Sequence, residues 1–557
     1  MGPLLFLVFV AHALAQTQPS CDSKIYCQGD LLHTIQMAKP FEDSKTFVDM
    51  KLKHDEKTTL DNFDVFITNT NNNPTKEEVQ QFVSDNFEEG NEFEDWVPSD
   101  YTPNPQILSK IADTEIRNFA SKLVAIWPKL ARKVKQEVFD TPELYTLLPV
   151  EHGFIVPGGR FKEFYYWDSY WIIKGLLVCE MYDTVKGMLD NFLSIVEKYG
   201  FLPNGARIYY LNRSQPPLLT LMAATYIQAT NDTTWLLNNI KTLDKELRFW
   251  LDNKVVTVPK NGINYTLAHY DSESGSPRPE SYYEDVDTAR RLPNEEDRIQ
   301  LYADLKSGAE SGWDFSSRWI VDENGTANAN LTSLQTRRII PVDLNAFLCQ
   351  AFRKLGELYV IIHDFENAVY WFEMASIWQK NIQDVLYNEE DGIWYDWDNV
   401  LGQHRKIFFA SNFAPLWSET YELQNAEVLG QRAADYFDSQ ELMNYQGGIP
   451  TSVRHTGEQW DYPNAWPPLQ SIVVMGLDKT GNCKAKSIAK EFAHRWIVAN
   501  MIGYNQTNEM FEKYDAENPG QYGGGGEYKV QSGFGWTNGV VFEFIERFFT
   551  TTSKKMA

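Results

Sequence analysis

From Ile107 onward the chain alternates long apolar-periodic stretches with Gly- and Pro-punctuated loops. Leu176, Leu177, Met181, Val185, Met188, Leu189, Phe192, Ile195 and Val196 recur at three- and four-residue spacing before Gly200, which predicts an amphipathic helix or a helix pair. The same pattern returns at Leu218 to Leu251, Val342 to Leu386, Phe413 to Phe437, Leu469 to Val498 and Gly539 to Phe549, whereas strand-like alternation is scarce and brief. The chain therefore reads as all-α, a series of helical hairpins with its chemically informative residues in the intervening loops. Periodicity alone leaves a closed toroid and an open solenoid as alternatives. Residues 16–105 are polar and turn-rich and read as an irregular N-terminal arm packed on a core formed by 106–557.

The 557 residues contain no long Gly/Ser, Pro or charged linker, which favours one large catalytic-sized domain. Met1 to Ala15 carries the apolar run Leu4 to Val10 and ends in a small-x-small pattern, the signature of a signal peptide. The run is too short to span a bilayer, and the polar C-terminal end offers no anchor. A secreted protein without a membrane anchor is expected. Six Asn-x-Ser/Thr sequons, at Asn212, Asn231, Asn264, Asn324, Asn330 and Asn505, fit that route. Asn212 lies among candidate pocket residues, so it is expected to stay unglycosylated. Of five cysteines, Cys21 and Cys27 are spaced to close a small loop, Cys179 reads as a buried thiol, and Cys349 and Cys483 are undecided. A net charge of −25 argues against nucleic acid as a partner. The nine histidines show no metal-ligand spacing, so neither a metal nor a cofactor is expected.

The stretch Pro157 to Trp171 places two glycines, an arginine, two carboxylates and a run of aromatics within fifteen residues. Such a mixture is costly to bury for packing alone and suits a pocket for a ligand that is polar with flat apolar faces, such as a sugar. Asp314 stands between Trp313 and Phe315, where desolvation raises a carboxyl's pKa; on its own, an Asp between aromatics is more often a cap or a solvated loop residue. Glu512 beside Lys513 would ordinarily pass for a surface ion pair. Gly523 to Gly526 lack the Lys-Ser/Thr of a phosphate loop and form a pliable segment suited to closing over a ligand. Trp460 and Trp466 are equally suited to sugar stacking and to core packing.

Pro157-Gly-Gly-Arg-Phe161 with Glu163 and Trp167-Asp168, and later Gln459-Trp-Asp-Tyr-Pro-Asn-Ala-Trp-Pro-Pro468, resemble the two signature segments of the trehalases, and the resemblance runs from about Leu31 to about Phe549. It implies an (α/α)6 toroid and inverting hydrolysis of α,α-trehalose, with Asp314 as general acid and Glu512 as general base. It also nominates Arg160, Trp167, Asp168, Asn204, Arg213, Ser214, Gln215, Arg278, Pro279, Glu280, Gly312 and Glu527 as sugar-binding. Asp168 and Asp461 are rival carboxylates for catalysis. The competing functions are hydrolysis of another α-glucoside, a secreted sugar-binding protein without catalysis, and an α-solenoid interaction protein.

Overall fold

The computed structural model describes residues 19–272 and 274–551; the expected signal peptide lies outside the described residues. Among these, twelve helices build the main body. In chain order they are α1 Thr114–Val124, α2 Asp168–Val178, α3 Tyr182–Tyr199, α4 Leu219–Thr230, α5 Thr233–Asn253, α6 Val342–Ile361, α7 Phe365–Leu386, α8 Ala414–Ser418, α9 Ala426–Ser439, α10 Pro467–Lys479, α11 Cys483–Thr507 and α12 Gly535–Phe548. Nearly every residue of α2, α10 and α12 is buried, whereas α5 and α9 bury one stripe and expose charge on the other side. Helices apolar all round belong inside and amphipathic ones outside. The even-numbered helices accordingly form an inner ring: α2 packs on α4, α4 on α6, α6 on α8, α8 on α10, α10 on α12, and α12 returns to α2. That last contact makes the body a closed (α/α)6 toroid and removes the open-solenoid alternative.

Closure depends on two glycines. A Cβ on Gly539 would stand 2.0 Å from the carbonyl oxygen of Trp171, and one on Gly175 would lie 2.8 Å from the Gly539 Cα. No side chain fits between α2 and α12 at this crossing. The hairpin turns that end the inner helices use left-handed residues: Glu180 (φ 65°), Asn231 (φ 55°) and His363 (φ 63°). Glu180 and His363 carry no turn signature, which is why the apolar period runs unbroken through helix pairs such as α2 and α3.

The N-terminal arm is more regular than its polar sequence suggests. Helices at Asp30–Ala38, Lys45–Val48, Glu56–Asn69 and Lys76–Asn86 enclose an apolar cluster of their own, including Ile25, Leu31, Phe47 and Phe82, which docks on Tyr165, Tyr209 and Tyr210. The signal for the last of these helices is a capping box, Thr75 with Glu78. Buried charge pairs fasten the arm to the ring: Arg207 grips Glu92 with both terminal nitrogens (2.6 and 2.8 Å), and Lys45 reaches Glu163 at 2.9 Å. Cys21 and Cys27 are joined in a disulfide; Cys179 and Cys349 are buried thiols, and Cys483 is exposed.

Alanine in place of a helical glycine ordinarily gains about 1 kcal/mol of helix propensity. At position 539 the inserted methyl meets backbone, and overpacking costs about 1–3 kcal/mol or more. Gly539→Ala is therefore expected to lower the thermal unfolding midpoint; a midpoint equal to or above wild type would show that the crossing has slack.

Candidate active site

Connections from each inner helix to the next outer one are short turns, but those from outer to inner are long: residues 125–167, 200–218, 254–341, 387–413, 440–466 and 508–534. Antiparallel hairpins in a ring put all six long connections at one mouth. There five of them, all but 387–413, wall a cavity. Arg160, Trp167, Asp168, Asn204, Arg213, Gln215, Arg278, Glu280, Gly312, Asp314, Glu512 and Glu527 all line it. Two of the nominated residues do not. Ser214 is buried with its hydroxyl donating to the Leu202 carbonyl and its N–H to Glu310, while the Pro279 carbonyl accepts from Gln36 of the arm. Both shape the loops that carry Arg213 and Glu280. Asp461 is absent from the lining as well: its carboxylate accepts from the hydroxyls of Ser316, Ser317, Ser452 and Thr456 and from the Ser317 N–H. It binds loops together.

The carboxyls facing the cavity are held differently. Burial pushes Asp314 up to about 6, against the pull of Arg278, its own backbone N–H and Arg213. Glu512 accepts from the Tyr528 hydroxyl at 2.8 Å and from the Gln531 N–H at 3.2 Å. Burial raises its pKa too, opposed by Lys513 and by those two hydrogen bonds. The Lys513 ammonium does turn inward: it bonds Gln459 Oε1 at 2.8 Å and lies 4.8 Å from the Trp466 ring centre, and burial brings its pKa down to about 8. Asp168, in the first turn of α2, is raised well above the usual range by burial and then by the charges of Glu512 and Asp314. Burial also lifts Glu527, to about 7, although it meets Arg278 at 2.9 Å.

Each arginine is pre-set by a carboxylate. Arg160 forms a fork with Asp43 (2.7 Å twice), Arg278 one with Asp285, and Arg213 spans Asn204 (2.8 Å) and Glu280 (2.5 Å). One arm of Arg213, Nη1, and one oxygen of its partner, Glu280 Oε2, are buried without a protein partner. A donor and an acceptor left open side by side match the two capacities of a hydroxyl group. Trp460 and Trp466 stack on one another at 3.8 Å and 2°, and Trp167 and Trp536 abut them edge-on or tilted. The two roles read from sequence merge, since both rings are core-packed and both border the cavity.

The glycine run is a fitted strap. Asn464 bonds both the N–H and the carbonyl of Gly524 (2.9 and 2.8 Å), and Cβ atoms on Gly525 and Gly526 would collide with the Gly457 carbonyl and the Gln459 side chain. It delivers Glu527 and Tyr528 to the cavity. Tyr528, Phe161, Tyr165, Tyr210, Ser281 and Trp536 also line the cavity, and none of them is among the residues that the family resemblance nominates. Asn212 turns away from it toward Ser20, half-buried, while the other five sequon asparagines are exposed.

Unlike carboxyls set among arginine forks and stacked indoles, at the mouth of a closed helical ring, belong to a glycoside hydrolase. More narrowly, the Trehalase family model matches residues 39–549, and the chain belongs to that family. It is 65% identical to the trehalase of Tenebrio molitor over 555 residues, covering 99% of this chain and all of that one. The trehalase of Homo sapiens is 47% identical over 532 residues, 95% of this chain and 90% of the other. The neutral trehalase Nth1 from Saccharomyces cerevisiae shares the fold, with a TM-score of 0.57 and 24% identity over 71% of this chain and 73% of that one.

If Asp461 is structural, Asp461→Asn should lower the unfolding midpoint, since a hydrogen bond to a charged group is worth about 1.5–3 kcal/mol. Below that midpoint most turnover should survive. Lost turnover at an unchanged midpoint would return Asp461 to the catalytic candidates.

Proposed function

We propose that the protein hydrolyses α,α-trehalose to two glucose molecules with inversion. The observation that carries this reading is the unlike holding of Asp314 and Glu512 on one cavity. Glu512, bonded by Tyr528 and Gln531 and backed by Lys513, is the carboxylate equipped to stay ionised and take a proton from water. Asp314, half-buried and raised to about 6, is the carboxyl equipped to hold one. As the water oxygen bonds to the anomeric carbon from the far side, the bond to the bridging oxygen breaks, and that oxygen receives the Asp314 proton. One glucose leaves as β and the other as α.

Arg160, Arg213 and Arg278, with Asn204, Gln215, Glu280 and Glu527, bind hydroxyls. Trp167 and the indoles beside it supply the flat apolar faces. The glycine strap keeps water other than the nucleophile away from the reacting carbon. The apolar leader and the five exposed sequons support a secreted glycoprotein. The steps above call for neither metal nor cofactor.

An NMR time course with trehalose should show equal initial α- and β-glucose before mutarotation; α-glucose alone would mean retention, and no product from trehalose or maltose would favour a sugar-binding protein. Asp314→Asn and Glu512→Gln should each lower kcat by a factor on the order of 10³ or more at an unchanged unfolding midpoint, given the ~10²–10⁴-fold worth of general acid–base catalysis. The kcat/KM profile should be a bell. Because the acid must be protonated and its pKa is about 6, the alkaline limb falls as pH rises through that region. Because Glu512 must be ionised and is raised, the acidic limb lies above the ordinary glutamate range. A flat profile from pH 4 to 8 would contradict the assignment.

A further inference from the structure

The Arg160 fork owes its place to a residue outside the ring. Asp43, in the loop between the first two helices of the arm, takes Arg160 Nε and Nη2 at 2.7 Å each. Asp43 does not line the cavity, whereas Arg160 does. Held this way, the guanidinium lies 4.6 Å from the centre of the Tyr528 ring, and the Tyr528 hydroxyl donates to Glu512 Oε1. A second strand of contacts runs in parallel: the Arg160 N–H donates to Gln531 Oε1, and the Gln531 N–H donates to Glu512 Oε2. Both oxygens of Glu512 are thus held by residues that touch Arg160. The same part of the arm bonds the opposite wall, where Gln36 reaches the Pro279 carbonyl at 3.0 Å and Ser44 reaches Glu284 at 2.8 Å, flanking Arg278 and Glu280.

We propose that Asp43 is a positioning residue for the reaction: it fixes the Arg160 guanidinium against Tyr528 and, through Tyr528, fixes the Glu512 carboxylate. The inference rests on the reading of Glu512 as the base. The alternative is that the pair only pins the arm. Asp43 is about one-third exposed and Arg160 about one-fifth (35% and 18%), and exposed ion pairs contribute little to stability. A bidentate fork, by contrast, fixes orientation, and small misplacements near reacting groups cost large factors in rate.

Glu512 is faced by Lys513, Arg160 and Tyr528, and by Asp168 and Asp314 as like charges. Arg160 favours its ionised form, so a loosened Arg160 lets the Glu512 pKa rise. The test uses the full chain, with kcat, KM and the pH profile on trehalose measured for Asp43→Asn, Asp43→Ala and Asp43→Glu beside their unfolding midpoints. Asn and Ala are expected to lower kcat/KM about tenfold or more, with kcat reduced as well as KM raised, at a midpoint close to wild type. The acidic limb should move to higher pH, and Glu should recover most of the loss.

Wild-type kcat/KM and an unmoved acidic limb in Asn and Ala would overturn the proposal. So would a loss that tracks a lowered midpoint in all three variants with no recovery in Glu. Glu512→Gln in the same assay separates the two claims. If it retains turnover, the base assignment falls; if it is inactive while the Asp43 variants behave as wild type, only the positioning role falls.

Discussion

The whole site depends on one close contact, that of Gly539 with the Trp171 carbonyl. It lets the last inner helix lie directly on the first, and so brings loops about 350 residues apart into one wall. The loops themselves repeat the device: the Gly535 N–H donates to the Pro157 carbonyl at 2.7 Å, and a Cβ on Gly158 would stand 2.4 Å from the Gly533 carbonyl. Arg160 and Asp168 meet Glu512 and Tyr528 because backbone meets backbone here without intervening side chains. Trp167, Trp460, Trp466 and Trp536 then fill the centre below them, drawn from three different turns of the ring.

Onto that frame the chain sets an unusual density of buried charge. Arginines at 160, 213 and 278 are each paired with a carboxylate from another part of the chain, which confines the guanidinium before any ligand arrives. Behind the cavity the same logic recurs in Arg318, which meets Asp343 and Asp396 with paired contacts of 2.7–2.9 Å. Such pairs cost desolvation and are weak evidence of stability; their product is orientation. The carboxyls left without an arginine of their own, Asp314, Glu512 and Asp168, are the ones whose protonation burial alters most usefully for chemistry.

Much of this was legible in the sequence because its signals were dense. The helical period from Leu176 to Val196, the Gly-Gly-Arg segment and the Trp-rich segment at 459–468 each combine residues that are seldom neighbours. What stayed hidden has particular physical reasons. Turns at Glu180 and His363 use ordinary residues in a left-handed conformation, so nothing marked the end of a helix. Ser214 and Pro279 sit one residue from true lining groups, and adjacency along the chain does not fix which way a loop residue faces. Asp461 is as acidic in sequence as Asp314, and only the five hydrogen bonds its carboxylate accepts set it apart. Tyr528 and Asp43 are single residues whose partners lie far away in sequence, and a pairing of that kind leaves no local pattern. The arm's helices were masked by polar composition, with only the Thr75–Glu78 box to announce one.

Because α12 supplies the closing contact and the segment just before it supplies Glu512, Glu527 and Tyr528, biosynthesis meets a fixed order of events. The arm, its disulfide and five hairpins can be laid down as the chain emerges, but no version of the cavity exists until residues 508–548 are out. A nascent chain therefore carries an unfinished ring whose aromatic centre, Trp167, Trp460 and Trp466 among it, faces the solvent. That makes the interval before α12 docks the period of greatest exposure to chaperones and to misassembly, and it makes the appearance of activity a direct report that α12 has docked.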